Sequence, residues 1–317
     1  MFRQLTALFL LAASADTQAR QTLEDAWWTG PILAASASTL PQGHFLIEPY
    51  LYDSVSYARY DADGDRHDTS DTEFFGSQTY LLYGLFDRVS VGLIPRFGFR
   101  DVASGRDSSG VRVGDLSLQG QYRLTQYDGN VPTTSLVMQV TLPTGKHDRL
   151  GEHTSDAMGG GAYSTMLGFY SQYFFWMPNG RILRTRFNVQ ETFFDNAAVA
   201  DVSVYGTKQG FRGHAKPGNS FLAILAGEYS LTQNWVLAMD VQYQHDSRAS
   251  LAGTMPGNAQ PRSVRQSFSS SSAVSLAPAV EYNFNGNVGI IVGAIWTAAG
   301  RNTSASIIPV MAVNIVY

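Results

Sequence analysis

The sequence predicts an all-β chain, a closed antiparallel transmembrane β-barrel of about twelve strands with short turns at one end and long loops at the other. Three observations predict it. Apolar residues recur with period two from Gly43 onward, the connections sort into short and long in strict alternation, and the composition is poor in charge without offering a spanning helix. Charged residues make up 15% of the 317 residues, against roughly 25% in ordinary soluble domains. Mean hydropathy is −0.10, and past residue 15 no apolar run approaches the roughly 18 residues of a spanning helix. A formal charge of −4 argues against a nucleic-acid surface, which would be basic and patchy. Zero cysteine removes disulfide frameworks, thiolate zinc sites and cysteine nucleophiles.

The chain opens on a secretory signal over 1–19. Arg3 supplies the positive region, Leu5 to Ala13 the apolar core, and Ala15 or Ala19 the cleavage point. Residues 20–42 then form a segment that either stays in the periplasm or enters the lumen, and the barrel occupies 43–317. No lipobox cysteine is present, so a lipid anchor there is not expected, and export together with the barrel pattern points to the bacterial outer membrane.

Strands are expected at about 43–59, 72–85, 88–100, 111–125, 133–143, 160–176, 182–194, 219–231, 234–246, 272–284, 287–299 and 304–317. The clearest alternation sets Trp235, Leu237, Met239, Val241 and Tyr243 against Ala238, Asp240, Gln242 and Gln244. Leu116, Leu118, Tyr122 and Leu124 oppose Asp115, Ser117, Gln119, Gln121 and Arg123 in the same way. Short turns fall at Phe86-Asp87-Arg88, Tyr127-Asp128-Gly129-Asn130, Pro178-Asn179-Gly180, Thr232-Gln233-Asn234 and Asn285-Gly286-Asn287, where Asn-Gly and Asp-Gly tolerate positive φ. Long polar loops are expected at 60–71, 101–110, 144–159, 195–218 and 247–270. A soluble sandwich alternates too but has no reason to sort its connections. A membrane barrel does, and in hydrocarbon a sheet satisfies its backbone only by closing on itself.

Aromatic residues lie where an interfacial girdle belongs: Tyr122, Tyr173, Phe175, Tyr229, Trp235, Tyr282 and Phe284 all flank the short turns. The last strand carries Ile307, Met311, Val313, Ile315 and Tyr317 on one face. A terminal aromatic on an amphipathic strand is the expected signal for the barrel-assembly machinery, with Tyr317 as its residue.

Several segments carry a family likeness. Trp27-Trp28-Thr29-Gly30-Pro31 leads to Leu40-Pro41-Gln42-Gly43-His44 and Ile47-Glu48-Pro49-Tyr50-Leu51-Tyr52. Val113-Gly114-Asp115-Leu116 opens the fourth strand, and Leu142-Pro143-Thr144-Gly145-Lys146-His147-Asp148 closes the fifth. This series resembles the meta-pathway phenol-degradation family of outer-membrane proteins over roughly 27 to 317. The resemblance implies a barrel for uptake of hydrophobic or aromatic compounds and no catalytic residues. The stretch before Gly43 is short, and no extended apolar plug like that of the fatty acid channels is read in it.

Catalytic and cofactor motifs are weak throughout, and no cofactor is expected. Gly114-Asp115-Leu116-Ser117 has the wrong order for a hydrolase block, and Asp115 reads as a lumen-facing strand residue. Gly145-Lys146 lacks the earlier glycine of a phosphate loop, and Gly159-Gly160-Gly161 starts a strand rather than following one. His153-Thr154-Ser155-Asp156 holds the residue types of a hydrolase in an outer loop, but adjacent residues rarely form a triad. Asp61, Asp63 and Asp65 half-resemble a calcium loop without its downstream glutamate, so they are weak metal candidates; bridging of lipopolysaccharide phosphates through cations is the functional version.

The lumen is the informative region. Alternation points Glu48, Arg96, Arg100, Asp115, Arg123, Arg184, Arg186, Glu228, Asp240 and Glu281 inward. They serve either as an ion-pair network filling a narrow barrel or as a polar channel lining. Arg184 and Arg186 project from one face about 7 Å apart, so they require an inward acid such as Asp115, Glu228 or Asp240, or an anionic solute. The expected function is a channel for passive uptake of small aromatic or hydrophobic solutes, since no nucleotide motif could drive transport. A structural or surface-interaction barrel with a filled lumen is the alternative, and an outer-membrane lipid hydrolase the third. Outer-membrane lipids, lipopolysaccharide, the assembly machinery and the solute are the expected partners, with no nucleic acid.

Overall fold

A computed structural model describes residues 20–102, 105–257 and 260–317; the signal expected over 1–19 lies outside them. β1 (Phe45–Tyr60) and β2 (Arg66–Phe86) form a long hairpin. The third crossing is split into β3 (Val89–Ile94) and β4 (Arg96–Val102), and the fourth into β5 (Arg112–Val113) and β6 (Leu116–Thr125). Pro95 causes the first split because it has no N–H to give the ladder. β7 (Thr133–Leu142), β8 (Ser164–Trp176) and β9 (Ile182–Phe194) follow. β12 (Ser220–Ser230), β13 (Trp235–Asp246), β16 (Ser271–Asn283), β17 (Val288–Arg301) and β18 (Thr303–Val316) complete the wall. Between them β10 (Ala197–Ala200) and β11 (Arg212–Lys216) lie in one long connection, β14 (Ala249–Met255) and β15 (Arg262–Phe268) in the next.

Every neighbouring pair in the wall is antiparallel, and β1 pairs with both β2 and β18, so the ring of 12 strands is closed. Phe45 and Tyr317 exchange backbone hydrogen bonds of 3.0 and 2.8 Å at the seam. Closure leaves no edge in hydrocarbon, which is the condition for a sheet to cross a membrane. The outward row is apolar and exposed, with Leu225, Val292, Leu136, Met138 and Leu237 each at least 44% accessible. At the short-turn end Trp235 meets Tyr282 at 4.7 Å and Tyr282 meets Phe284 at 5.0 Å, a ring of aromatics at the interface level.

Three expectations need correction. The stretch 60–71 is mostly strand, because β2 begins at Arg66 and leaves only a tight turn at 61–65. The long connections 195–218 and 247–270 are not simply solvated loops. They pair as a separate sheet of order β10-β11-β14-β15. Ala197, Val199, Phe211, Ala215 and Leu251 form its buried core together with Ala162.

The segment before β1 bears on the third, the expected lack of an extended apolar plug. Of its two expected courses it takes the one into the lumen and fills part of it. Trp27 donates to the Gln233 carbonyl at the short-turn end, residues 33–36 reach mid-height, and Leu40 returns to Ser90 near the short turns. Ile32 packs among Ala238, Ala277, Ala279, Ile291, Val310 and Ala312. Ala34 sits against Ile224 and Ala226, and Ala37 against Val137, Met166 and Tyr170. Glycine makes room at the exit: a Cβ on Gly84 would run into the Pro41 carbonyl.

Candidate functional site

The lumen divides into two halves. One wall, from β9 through β12 and β13 to β16, faces the N-terminal segment. A chain inside a barrel brings N–H and C=O groups that need partners, and this wall supplies them. Glu281 accepts from Thr29 N at 2.8 Å and Gly30 N at 3.2 Å. Asp240 accepts from Ala34 N at 3.0 Å and Leu33 N at 3.3 Å. In the opposite sense Arg186 donates to the Ala34 carbonyl at 2.8 Å, Asn188 to Ala35 at 3.1 Å and, from β6, Gln121 to Ser36 at 3.0 Å. Gly30 holds φ at +124°, and the Arg186 guanidinium lies 3.1 Å from where its Cβ would be, so glycine is required there on both counts.

Beneath this segment Glu228 ties two arginines together. Its Oε2 takes Arg184 Nε at 2.7 Å and lies 3.0 Å from Arg186 Nε, and its Oε1 takes Arg184 Nη2. Glu228, Asp240 and Glu281 are all fully buried. The indole of Trp28 covers Arg184, with the guanidinium carbon 4.6 Å from the ring centroid.

The other half, on β1, β2, β4 and β6, is lined by half-buried side chains. Tyr50 and Tyr80 meet edge-on at 5.8 Å, and Tyr52 and Phe74 meet tilted at 5.9 Å. Arg96 donates to Gln78 at 2.8 Å, to Ser117 at 2.7 Å and to the Asp115 carbonyl at 3.1 Å. Arg100 lies over Phe74 at 5.5 Å, and Glu48 accepts from Asn314 at 3.1 Å. Arg123 falls on the same inward parity near the short turns.

Asp115 departs from its expected place. It lies in the break between β5 and β6, and its carboxylate accepts from Gly145 N at 2.8 Å and Gly160 N at 2.9 Å, so it anchors an outer loop instead of lining a strand. The Asp61 carboxylate is taken up by its own turn, through the amides of Asp63, Gly64 and Asp65 and the His67 ring. The His67 bond and those amides hold it below the usual carboxylate range. Asp63 and Asp65 point away from it into solvent, and among the described residues no group of three or more metal-ligating side chains assembles.

In the outer loops Ser155 donates to the Arg106 carbonyl, and Asp156 takes Arg112 at 2.6 Å and Ser109 N at 2.8 Å. The four residues 153–156 therefore latch one loop to another and do not converge on a common point. Burial pushes the Asp156 carboxyl up, but the bonds from Ser109 and Arg112 outweigh it and leave it below its ordinary value. A separate cleft of about 680 Å3 opens at the short-turn rim beside Arg20, Tyr127, Tyr173 and Trp176, away from both lumen walls.

Sequence reasoning missed Trp28, Asn188, Gln121 and the aromatic wall as lumen features. The one available signal was a set of small apolar residues (Ala226, Ala238, Ala277, Ala279, Ala312) on the inward parity, where an open pore would be polar.

A closed 12-strand ring with an apolar outer row, an aromatic girdle and a polar interior defines an outer-membrane β-barrel. The chain belongs to the family described as "Putative MetA-pathway of phenol degradation", whose profile matches residues 53–307. Among solved structures it is similar to the COG4313 outer membrane channel from Pseudomonas putida F1, with 14% identity over 90% of this chain and 100% of that one and a TM-score of 0.68. It also matches the translocator domain of the autotransporter NalP from Neisseria meningitidis, with 11% identity over 87% of this chain and 89% of that one and a TM-score of 0.46. A deletion mutant of the TodX monoaromatic hydrocarbon channel matches with 10% identity over 92% and 94% of the two chains, at a TM-score of 0.43. No curated protein sequence matches the chain.

Proposed function

We propose that the protein is a passive channel for small aromatic or hydrophobic compounds, which pass along the half of the lumen that the N-terminal segment leaves lined by rings. The observation that carries this reading is the inward, half-buried row Tyr50, Tyr52, Phe74 and Tyr80, a continuous aromatic surface from mid-height to the mouth. Rings lining a lumen are unfavourable unless they serve packing or a solute; Tyr50 and Tyr52 meet the cluster around Ile32, and all four rings keep a half-buried surface. The family and the channel fold support it. The reading is of a channel and not an enzyme. Tyr317, exposed and outward at the seam, is the residue offered to the assembly machinery, and lipopolysaccharide surrounds the long-loop end.

The test is flux into proteoliposomes. Relative to empty liposomes, which define background, phenol flux should rise several-fold more than that of glycerol, a polar solute of similar mass. The filled-lumen alternative is favoured by one observation, the anchoring of the segment by buried carboxylates, and it predicts background flux for both solutes.

A further inference from the structure

At the mouth of the ring-lined half, Arg100 on β4 stands directly opposite Phe74 on β2. Its guanidinium carbon lies 5.5 Å from the ring centroid, and Phe74 leans on Tyr52 at 5.9 Å. Gly98, on the same face, lets the Phe74 ring and the Met158 methyl close over it: a Cβ there would come within 2.6 Å of the ring and 2.7 Å of the methyl. A guanidinium, two rings and a thioether methyl thus border one spot, and Arg100, Phe74 and Tyr52 are each half-buried.

Arg100, like Arg123 at the short-turn end, has neither a counter-charge nor a side-chain acceptor among the described residues. Arg184 and Arg186 share Glu228, and Arg96 donates to three neutral acceptors. Among the described residues no carboxylate lies within salt-bridge reach of Arg100, and its side chain makes no hydrogen bond. A half-buried guanidinium without a partner has its donors free, and its planar fork matches a carboxylate in two parallel bonds.

We propose that Arg100, Phe74 and Tyr52 form a binding site for an aromatic monocarboxylate at the mouth of the lumen, with the carboxylate on the Arg100 fork and the ring against Phe74 and Tyr52. Aromatic pairing favours a flat ring over a saturated one of the same size. Neutral phenols lack the carboxylate and are passed without being held. The proposal rests on the channel reading for transport but not for binding.

Isothermal titration of benzoate into the detergent-solubilised protein tests it, with heat-modifiability on gels confirming that each variant is folded. Arg100→Gln should bind benzoate about tenfold more weakly, about 1.4 kcal/mol, while Arg100→Lys should fall between it and the wild type. Cyclohexanecarboxylate should bind the wild type more weakly than benzoate. Equal benzoate affinity in wild type and Arg100→Gln, or no binding to the wild type, overturns the site. Flux of benzoate and phenol in parallel separates the two readings. Arg100-dependent binding without flux of either solute upholds the site and removes the channel; phenol flux without Arg100-dependent binding does the reverse.

Discussion

The two halves of one lumen solve the problem of buried charge in opposite ways. On the β9–β12–β13–β16 side each carboxylate has a committed partner: Glu228 holds two arginines, and Asp240 and Glu281 hold backbone amides of the N-terminal segment. On the β1–β2–β4 side the charges meet neutral groups or rings, and Arg100 has no acid at all among the described residues. The first half is therefore a packed interior in the sense of any soluble core, and the second is a surface. A barrel wall has no intrinsic preference between these states. What decides is whether the inward residues are small enough to admit a peptide, as Ala238, Ala277 and Ala279 are around Ile32, or carry rings that border it, as Tyr50 and Tyr52 do.

That difference is broken most directly at Glu228. Changing Glu228→Gln leaves Arg184 and Arg186 buried without a counter-charge, and removing one partner of a buried pair costs about 3–5 kcal/mol. The urea midpoint of the folded barrel should drop accordingly. Arg100→Gln in the other half should stay within about 0.5 kcal/mol of wild type. Comparable losses at the two positions would mean that the halves are not different in kind. Changing Arg184 and Arg186 together to alanine should likewise lower stability more than it alters ion selectivity, because both guanidinia are buried against Glu228.

A smaller effect is expected from the anchors of the segment. Asp240→Ala with Glu281→Ala removes the acceptors of four backbone amides, each bond to a carboxylate being worth about 1.5–3 kcal/mol. The loss is partly regained because two buried charges disappear as well. The segment should leave the lumen more often, and conductance in planar bilayers should rise well before the barrel unfolds. Unchanged conductance with a lowered urea midpoint would show that the segment is part of the wall.

Most of the wall was legible because the signal is local: the expected 182–194 and the observed Ile182–Phe194 coincide, and the turn residues mark the rest. Parity failed where a residue leaves the ladder. Asp115 alternates correctly with Leu116 and Leu118, yet a break in the pairing turns it to the loops. The outer sheet was hidden because its core joins two connections some fifty residues apart, each polar when read alone. The N-terminal segment was hidden for a similar reason. Trp27-Trp28-Thr29-Gly30-Pro31 has no period, and its meaning lies in inward alanines more than 190 residues later. Of those alanines alternation names only Ala238 on the face away from lipid, although alanine on a water-filled wall has nothing to pack against and so implies an occupant.

The smallest expected effect concerns the cover over the ring-lined half. Asp156 joins the loop 101–115, which continues from Arg100, to the loop 144–163 through Arg112 and Ser109. Its carboxyl is held below its ordinary value, so the unfolded chain takes up the proton more readily than the folded latch does. The sign follows: the latch contributes fully above the unfolded value of about 3.9 and loses its contribution as the pH falls through the lower folded value. Arg112 is partly exposed, which screens the pair and keeps the effect small. Hydrogen exchange at the Ser109 amide, corrected for its intrinsic rate, should therefore accelerate on acidification below about pH 4, while the amides of Thr29 and Ala34 stay protected. Asp156→Asn should exchange faster at every pH and show no such step, since it keeps the shape of the side chain but not the charge. A step that persists in Asp156→Asn would assign the acid sensitivity to another group. Opening at Ala34 under the same conditions would show that cover and segment move together, and that the two halves of the lumen are coupled through the mouth.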